Sequence, residues 1–586
     1  MKKPTVYLEY LAIIILWFLI LGKNILSSMV FLDYTYPTFF DLGKNLLLSN
    51  YNYNFYLLDL VKLPLSLLGL TQILVSLSFL ICMLVSYFYI KRISKSQDLD
   101  SIFSLLFALI FFFNPFVYSR IMTGQIGVLF SYLLMPVFIF YLFSLFENNL
   151  NKKSIIKLVL AFTIASSFSL QFFVFNFIIF LFASFWLYFY KPDKPEKKPK
   201  LKKYFSVFGI LIILTILLNL FWLQAMVFSN SSIFSSIDSS HEEFFSPKLS
   251  QGFPAIAKII GMSGFWREVG YKTTFNSLPS VIWYTITFTL LILMLGGYYS
   301  NHEKKHAKIF YSLWWVGVIF ATGISHPYTA PLFDFLFKNL PFFNGFRDSH
   351  KFVALIALSY AYLCPLGLVK LTQKLKSNKE KILKYTLVII FAVFILFYSF
   401  PLIFLSNQIQ PVSYPSEYAQ LNSYLEKQDI TGYVVYLPWQ NYLTYNWTTK
   451  ASSDGRITNP INSIVKEPVI VGSDRWGSTD LFRKQITQCL TNQDTKCLEN
   501  LKIEYVIKDR CALYFDSYSW LNSSPEFSEG CVELHKLDYS GSKVTYPTPK
   551  LFIISLLISL ITLLGMVYLL AGKQHKKQVQ QQIDKH

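Results

Sequence analysis

Apolar runs of about twenty residues, parted by short polar stretches, recur along most of the chain. A run of that length crosses the hydrocarbon core of a bilayer as a helix, so each predicts a membrane span. The pattern gives twelve: residues 8–27, 69–90, 101–118, 126–146, two within 155–190, then 204–226, 279–298, 309–325, 352–370, 385–405 and 550–571. The stretch 155–190 is too long for one helix at about 1.5 Å per residue, and it divides at the polar segment 167–171. Asn114-Pro115 is expected to close the third span. Pro136 sits inside the fourth, where neighbouring helices accommodate a kink.

The segment 406–548 breaks the pattern, with mixed charge and no span. Within it, 432–437 and 503–508 read as buried strands rich in Val, Ile and Tyr. Residues 416–427 and 479–490 read as helices, the first with Ser416 as N-cap. The expected fold class is a polytopic α-helical membrane protein of about twelve helices carrying a small α/β domain before the last one. Its parts are a transmembrane module over 1–405 with long loops at 28–66, 228–277 and 326–350, the α/β domain over 406–548, and a last helix with a basic tail over 549–586.

Composition sharpens this picture. The chain is 53% hydrophobic and only 15% charged, with a mean hydropathy of +0.41, which excludes an ordinary soluble enzyme. The net charge of +19 points to the bilayer and not to nucleic acid, because the lysines fall in alternate loops. Lys91-Arg92, Lys152-Lys153, the 191–200 linker, 302–308, the run to Lys384 and the tail from Lys573 all lie on one side of the twelve-span count. The positive-inside rule makes that side cytoplasmic. The expectation is therefore a multi-pass plasma-membrane protein with both termini cytoplasmic and the α/β domain outside. No small-residue cleavage site follows Met1-Lys2-Lys3 and the first run, so the first span is expected to stay uncleaved. Four of the six cysteines, Cys489, Cys497, Cys511 and Cys531, lie in the α/β domain and predict two disulfides. Of the three pairings, the local ones are expected, Cys489–Cys497 and Cys511–Cys531. The lack of a Cys-x-x-Cys pair argues against zinc.

Candidate chemistry gathers in the three long loops. Asp33 and Asp41 stand in an otherwise aromatic and apolar run at the mouth of the first span, where an ionised carboxylate is costly. Each is a catalytic candidate; the plainer role is a cap or a solvated loop charge. Arg347, His350 and Lys351 bring positive groups to the start of a helix, whose free N–H groups and dipole also favour an anion. A guanidinium grips two phosphate oxygens at once and a lysine adds a point charge, so these read as a phosphate site, with interfacial anchoring as the alternative. Arg267 is a second phosphate or sugar contact. Trp266 and Tyr36 offer rings for a sugar, and Glu243 lies on the rim. His241-Glu242-Glu243-Phe244-Phe245 lacks the second His of a zinc protease helix.

The order of a first span, an outside acidic loop followed by Pro37, many spans and an outside C-terminal domain resembles the GT-C superfamily of membrane glycosyltransferases. The Asp33 loop, Asn114-Pro115-Phe116 through Gly124-Gln125 to Pro136, Gly264-Phe265-Trp266 and residues 346–352 are similar to its arabinofuranosyltransferase-like and YfhO-like branch. The resemblance covers roughly residues 1–370 in layout. Two positions depart from that branch: Gln125 stands where it has His, and Asp348-Ser349 where it has Glu or Asn and then Pro. The resemblance implies a polyprenyl-phosphate sugar donor, a glycan, lipid or protein acceptor, and transfer on the outer face. It implies Asp33 as the base or acceptor-positioning carboxylate, with Arg347 and Lys351 on the donor phosphate and Gln125 near the sugar or acceptor. A divalent cation, Mg or Mn, stays open as a cofactor, with no ligand assigned. Two readings compete with it. A transporter or flippase calls for charges inside spans or two related halves; the predicted spans are nearly free of charge and show no repeat. A non-catalytic envelope assembly protein would not need Asp33 together with Arg347.

Overall fold

The computed structural model describes residues 3–583 except 39–63, 148–149, 190–200, 229–236, 248–254, 374–377, 449–454, 474–480, 514, 522 and 545–549. Asp41 lies outside the described residues.

Among the described residues, eight helices are long and apolar enough to cross a membrane, and two bent pairs qualify when each is taken as one span. The two remaining expected spans appear as Lys152–Ser166 and Lys305–Ala321, helices of 15 and 17 residues. Both are shorter than the roughly 20 residues that a span needs. The division of the 155–190 stretch is present: one helix ends at Ser166 and the next begins at Leu170. At Asn114-Pro115 the Ser101–Phe112 helix has ended and Pro115–Thr123 begins at 42° to it, since proline is well placed at the first position of a new helix.

Burial orders the bundle. For Ser349–Leu371, 94% of the apolar window is buried, against 17% for Lys550–Ala571. The first runs through the middle; the second lies at the rim, against Leu201–Phe228. The central Val353–Gln373 helix meets Ser280–Ser300 almost backbone to backbone. A Cβ at Gly297 would fall 2.0 Å from the Leu363 carbonyl oxygen, and one at Gly367 would fall 2.1 Å from that of Leu293. Small residues at such crossings let membrane helices approach where no hydrophobic drive exists between them.

The small sheet domain has five strands in the order β4-β1-β5-β7-β6. They are β1 Tyr433–Leu437, β4 Val469–Ile470, β5 Ile503–Asp509, β6 Phe527–Glu529 and β7 Val532–Lys536. β4, β1 and β5 run parallel, while β7 is antiparallel to β5 and to β6. All seven residues of β5 are buried, as expected for a strand covered on both faces. Val435 and Leu437 share a core with Ile486 and Leu490 of the Leu481–Thr491 helix, while Val434 and Tyr436 share one with Tyr418 and Leu421 of Ser416–Leu425. Pro415, and not Ser416, occupies the N-cap position of the latter helix. A separate two-stranded ribbon pairs β2 Tyr442–Thr444 with β3 Arg456–Thr458. Both disulfides form as expected, Cys489–Cys497 and Cys511–Cys531.

The glycine crossing generates a controlled prediction. Gly297→Ala should lower the thermal unfolding midpoint of the detergent-solubilised protein by several degrees, because an added methyl must push backbone. Gly296→Ala, with nothing within 4 Å of the new methyl, should leave the midpoint within error or raise it.

Candidate active site

The site is built where a short helix ends. Asn114 caps its start: the side-chain oxygen accepts from the Val117 N–H at 3.0 Å, and the amide nitrogen donates to the Ile110 and Phe111 carbonyls, each at 2.9 Å. Gly124 caps its end at φ +72°, in the left-handed region that glycine enters without strain. A Cβ there would sit 2.5 Å from Phe31 Cβ, so the glycine also lets the 31–34 loop lie flat on the helix end. That loop closes on itself through reciprocal Phe31 and Tyr34 backbone bonds at 2.7 and 3.3 Å. At its tip the Asp33 N–H donates to the Thr123 carbonyl at 2.9 Å, satisfying one of the acceptors a helix end leaves over.

The Asp33 carboxylate is thereby fixed. Tyr442 Oη donates to Oδ1 at 3.0 Å, and Gln125 Nε2 donates to Oδ2 at 3.4 Å. Burial raises its pKa above the usual carboxylate value, opposed by these two hydrogen bonds and by the charges of Arg267 and Lys351. Asp33 is thus a carboxylate with enhanced proton affinity that faces two cations.

Behind it lies a network that ties three distant segments together. The Gln125 amide oxygen accepts from Arg120 Nη1 at 2.5 Å, which turns the amide nitrogen towards Asp33. Arg120 is fully buried, and the same Nη1 bonds Asp348 Oδ2 at 2.6 Å. Its Nη2 donates to His350 Nδ1 at 2.8 Å. Guanidinium has no acceptor, so His350 must carry its proton on Nε2. The guanidinium is sandwiched between Phe116 and Phe265, 5.0 and 4.7 Å from their ring centres. Burial pushes Asp348 up, but the charges of Arg120, Lys351 and His350 together with the Arg120 hydrogen bond hold the carboxyl below its ordinary value.

The residues expected from the sequence divide accordingly. Asp33, Gln125, Lys351 and Arg267 come together. Arg347 lies over Phe245 at 4.6 Å, and Phe245 packs on Trp266, so these belong to the same loop cluster. His350 turns inward to Arg120 and is fully buried. Trp266 is enclosed by Phe244, Phe245 and Phe265. Tyr36 stacks on Tyr414 of the segment leading into the sheet domain, at 4.2 Å and 19°, which occupies one face of its ring. Glu243 is exposed on the rim. The Gly264-Phe265-Trp266-Arg267 turn is held by the Gly264 N–H, which donates to Glu268 at 2.8 Å, and Glu268 pairs with buried Lys258 at 3.0 Å.

Sequence reasoning missed Arg120, Asp348 as its partner, and Tyr442. The signal for Arg120 was a lone arginine among largely apolar residues, and it lies inside the Pro115–Thr123 helix.

A bound Mg or Mn would need several oxygen donors. Among the described residues, no group of three His, Cys, Asp or Glu ligand atoms gathers at Asp33. Asp509, Cys511 and Cys531 place ligand atoms within 4.8 Å of one another, but the two sulfurs are joined in a disulfide.

No protein-family model matches the sequence, and no curated protein matches it. Solved structures do match. The cryo-EM structure of the arabinofuranosyltransferase AftD from Mycobacteria superposes with a TM-score of 0.61 at 11% identity, over 93% of this chain and 40% of that one. A mutant of the same enzyme gives 0.56 at 10% identity, over 92% and 42%. The Archaeoglobus fulgidus oligosaccharyltransferase gives 0.46 at 10% identity, over 87% and 69%. The chain thus spans 40% of the length of AftD, and the likeness is one of fold.

Arg120 offers the test of the network. Arg120→Leu leaves Asp348 buried and unpaired and should destabilise the protein by about 3–5 kcal/mol. Thermal unfolding should show a large part of that loss recovered in Arg120→Leu/Asp348→Leu.

Proposed function

We propose that this chain, with its GT-C-like fold, is a membrane glycosyltransferase that moves a sugar from a polyprenyl-phosphate donor to an acceptor hydroxyl on a glycan, lipid or protein at the outer face. In this reading Lys152–Ser166 and Lys305–Ala321 complete twelve crossings, both termini are cytoplasmic, and the sheet domain lies outside. The observation that carries the proposal is a loop carboxylate, Asp33, held by hydrogen bonds from Tyr442 and Gln125 and subject to the charges of Arg267 and Lys351.

The chemistry follows from that arrangement. An acceptor hydroxyl is a poor nucleophile, and Asp33 takes its proton as the oxygen attacks the anomeric carbon of the donor sugar. The bond from that carbon to the phosphate oxygen breaks, and the electron pair leaves with the lipid phosphate. Lys351 and Arg267, with Arg347 beside them, meet the charge that grows on the leaving group. Gln125 keeps the carboxylate oriented, and Arg120 keeps Gln125 oriented. Asp41 remains a second candidate carboxylate. The apolar grooves between spans take the polyprenyl tail. The same fold in AftD, an arabinofuranosyltransferase by name, supports this class of reaction without choosing the sugar.

Membranes carrying the full chain, supplied with radiolabelled polyprenyl-phosphate sugars, test the proposal. Wild type should move label from at least one donor. Asp33→Asn should lose about 10²–10⁴ in rate, the usual contribution of a general base, and Lys351→Ala about 10². The ionised carboxylate is the active form, so wild-type rate should fall as pH drops through the raised Asp33 pKa. That acid limb should lie above the ordinary carboxylate range and be absent from residual Asp33→Asn activity. Equal transfer by wild type and Asp33→Asn would end the proposal.

A further inference from the structure

The sheet domain reaches into the candidate site. Its two-stranded ribbon grips the 31–34 loop at two adjacent residues. The Thr458 N–H at the end of β3 donates to the Leu32 carbonyl at 2.8 Å, and Tyr442, its partner across the ribbon, donates from Oη to Asp33 Oδ1 at 3.0 Å. Further along, the Thr38 N–H donates to the Ser463 carbonyl at 2.9 Å, and the Tyr36 ring stacks on Tyr414. On the other side the membrane module holds the same loop through Thr123 and Gln125. Asp33 is therefore clamped between the membrane module and the ribbon, whose Tyr442 lies 409 residues from it in sequence.

We infer that Tyr442 is a positioning residue for Asp33 and that the site is incomplete without the sheet domain, whose ribbon supplies one of the two hydrogen bonds that orient the carboxylate. The inference rests on the reading of Asp33 as the base. A hydroxyl that donates to a carboxylate favours its charged form and fixes the direction of its lone pairs. Both effects matter for a base that must be ionised and aimed at an acceptor while half-buried. The charged and titratable groups that bear on Asp33 are Arg267 and Lys351 from the membrane module and Tyr442 from the ribbon. Arg456 on β3 stands over the Tyr442 ring at 5.8 Å. Tyr442→Phe removes one donor from this set and leaves the ring, its packing and every charge in place.

The test reads Asp33 protonation directly in the full-length protein. Dicyclohexylcarbodiimide modifies protonated carboxyls in apolar surroundings, and mass spectrometry of the peptide that bears Asp33, with Asp33→Asn as the unlabelled control, reports the extent at each pH. Tyr442→Phe should raise the midpoint pH of labelling by about one unit, a tenfold gain in proton affinity. Its transfer rate should show the acid limb displaced by the same amount, with kcat reduced at neutral pH and recovering as pH rises, and KM little changed. A labelling midpoint that coincides with wild type would overturn the inference. So would a pH-independent loss of transfer without a shift in labelling. A wild-type chain that transfers no sugar contradicts the proposed reaction and not the positioning, which the labelling midpoint still decides.

Discussion

A guanidinium with no access to solvent must have its charge matched by the groups around it. Arg120 meets this requirement with three partners drawn from two parts of the chain: Gln125 five residues on, and Asp348 and His350 more than 220 residues away. Phe116 and Phe265 cover its faces. Removing any one partner leaves a charge or a polar atom stranded in low dielectric, where it costs several kcal/mol. The helix that carries Arg120, the 264–267 turn and the start of the central Val353–Gln373 helix are therefore locked in one arrangement. Lys351 sits one residue beyond His350 and inherits its place from that lock.

The second constraint is spatial. The 31–34 loop lies on the end of the Pro115–Thr123 helix only because Gly124 has no side chain. Asp33 then gains a backbone bond from Thr123 below and side-chain bonds from Gln125 and Tyr442. A carboxylate so held pays little reorganisation when it accepts a proton, which is what preorganised electrostatics requires of a catalytic group. The sheet domain has a matching reason to be where it is, since its ribbon touches the reactive loop and not merely the membrane surface.

Much of this was legible in the sequence, and the reasons are physical. Spans with strong, uniform hydropathy were readable, and so was the break at 167–171, because length alone forbids a single helix. The strands around Val434 and Val506 and the two local disulfides followed from β-branched runs and short spacing. Asp33, Lys351 and Arg267 were visible as charges that an apolar setting makes expensive. What the sequence did not show depends on partners far away in the chain. Arg120 has no local sign of its role, because its neutralising residue is 228 positions distant. The bond between His350 Nδ1 and Arg120 is hidden for the same reason. Tyr442 is one tyrosine among 38, and only the docking of the ribbon singles it out. Asn114-Pro115 reads as a terminus because proline breaks helices; it also starts the next helix.

The central claim is that Asp33, Lys351 and Arg267 form one reaction centre. The most direct measurement is a cryo-EM structure of the wild-type protein with a non-transferable polyprenyl-phosphonate sugar bound. The geometry predicts the phosphonate within hydrogen-bonding distance of Lys351 or Arg267 and the anomeric carbon turned towards the space in front of Asp33. A phosphonate held elsewhere, with Asp33 facing no part of the sugar, would contradict it.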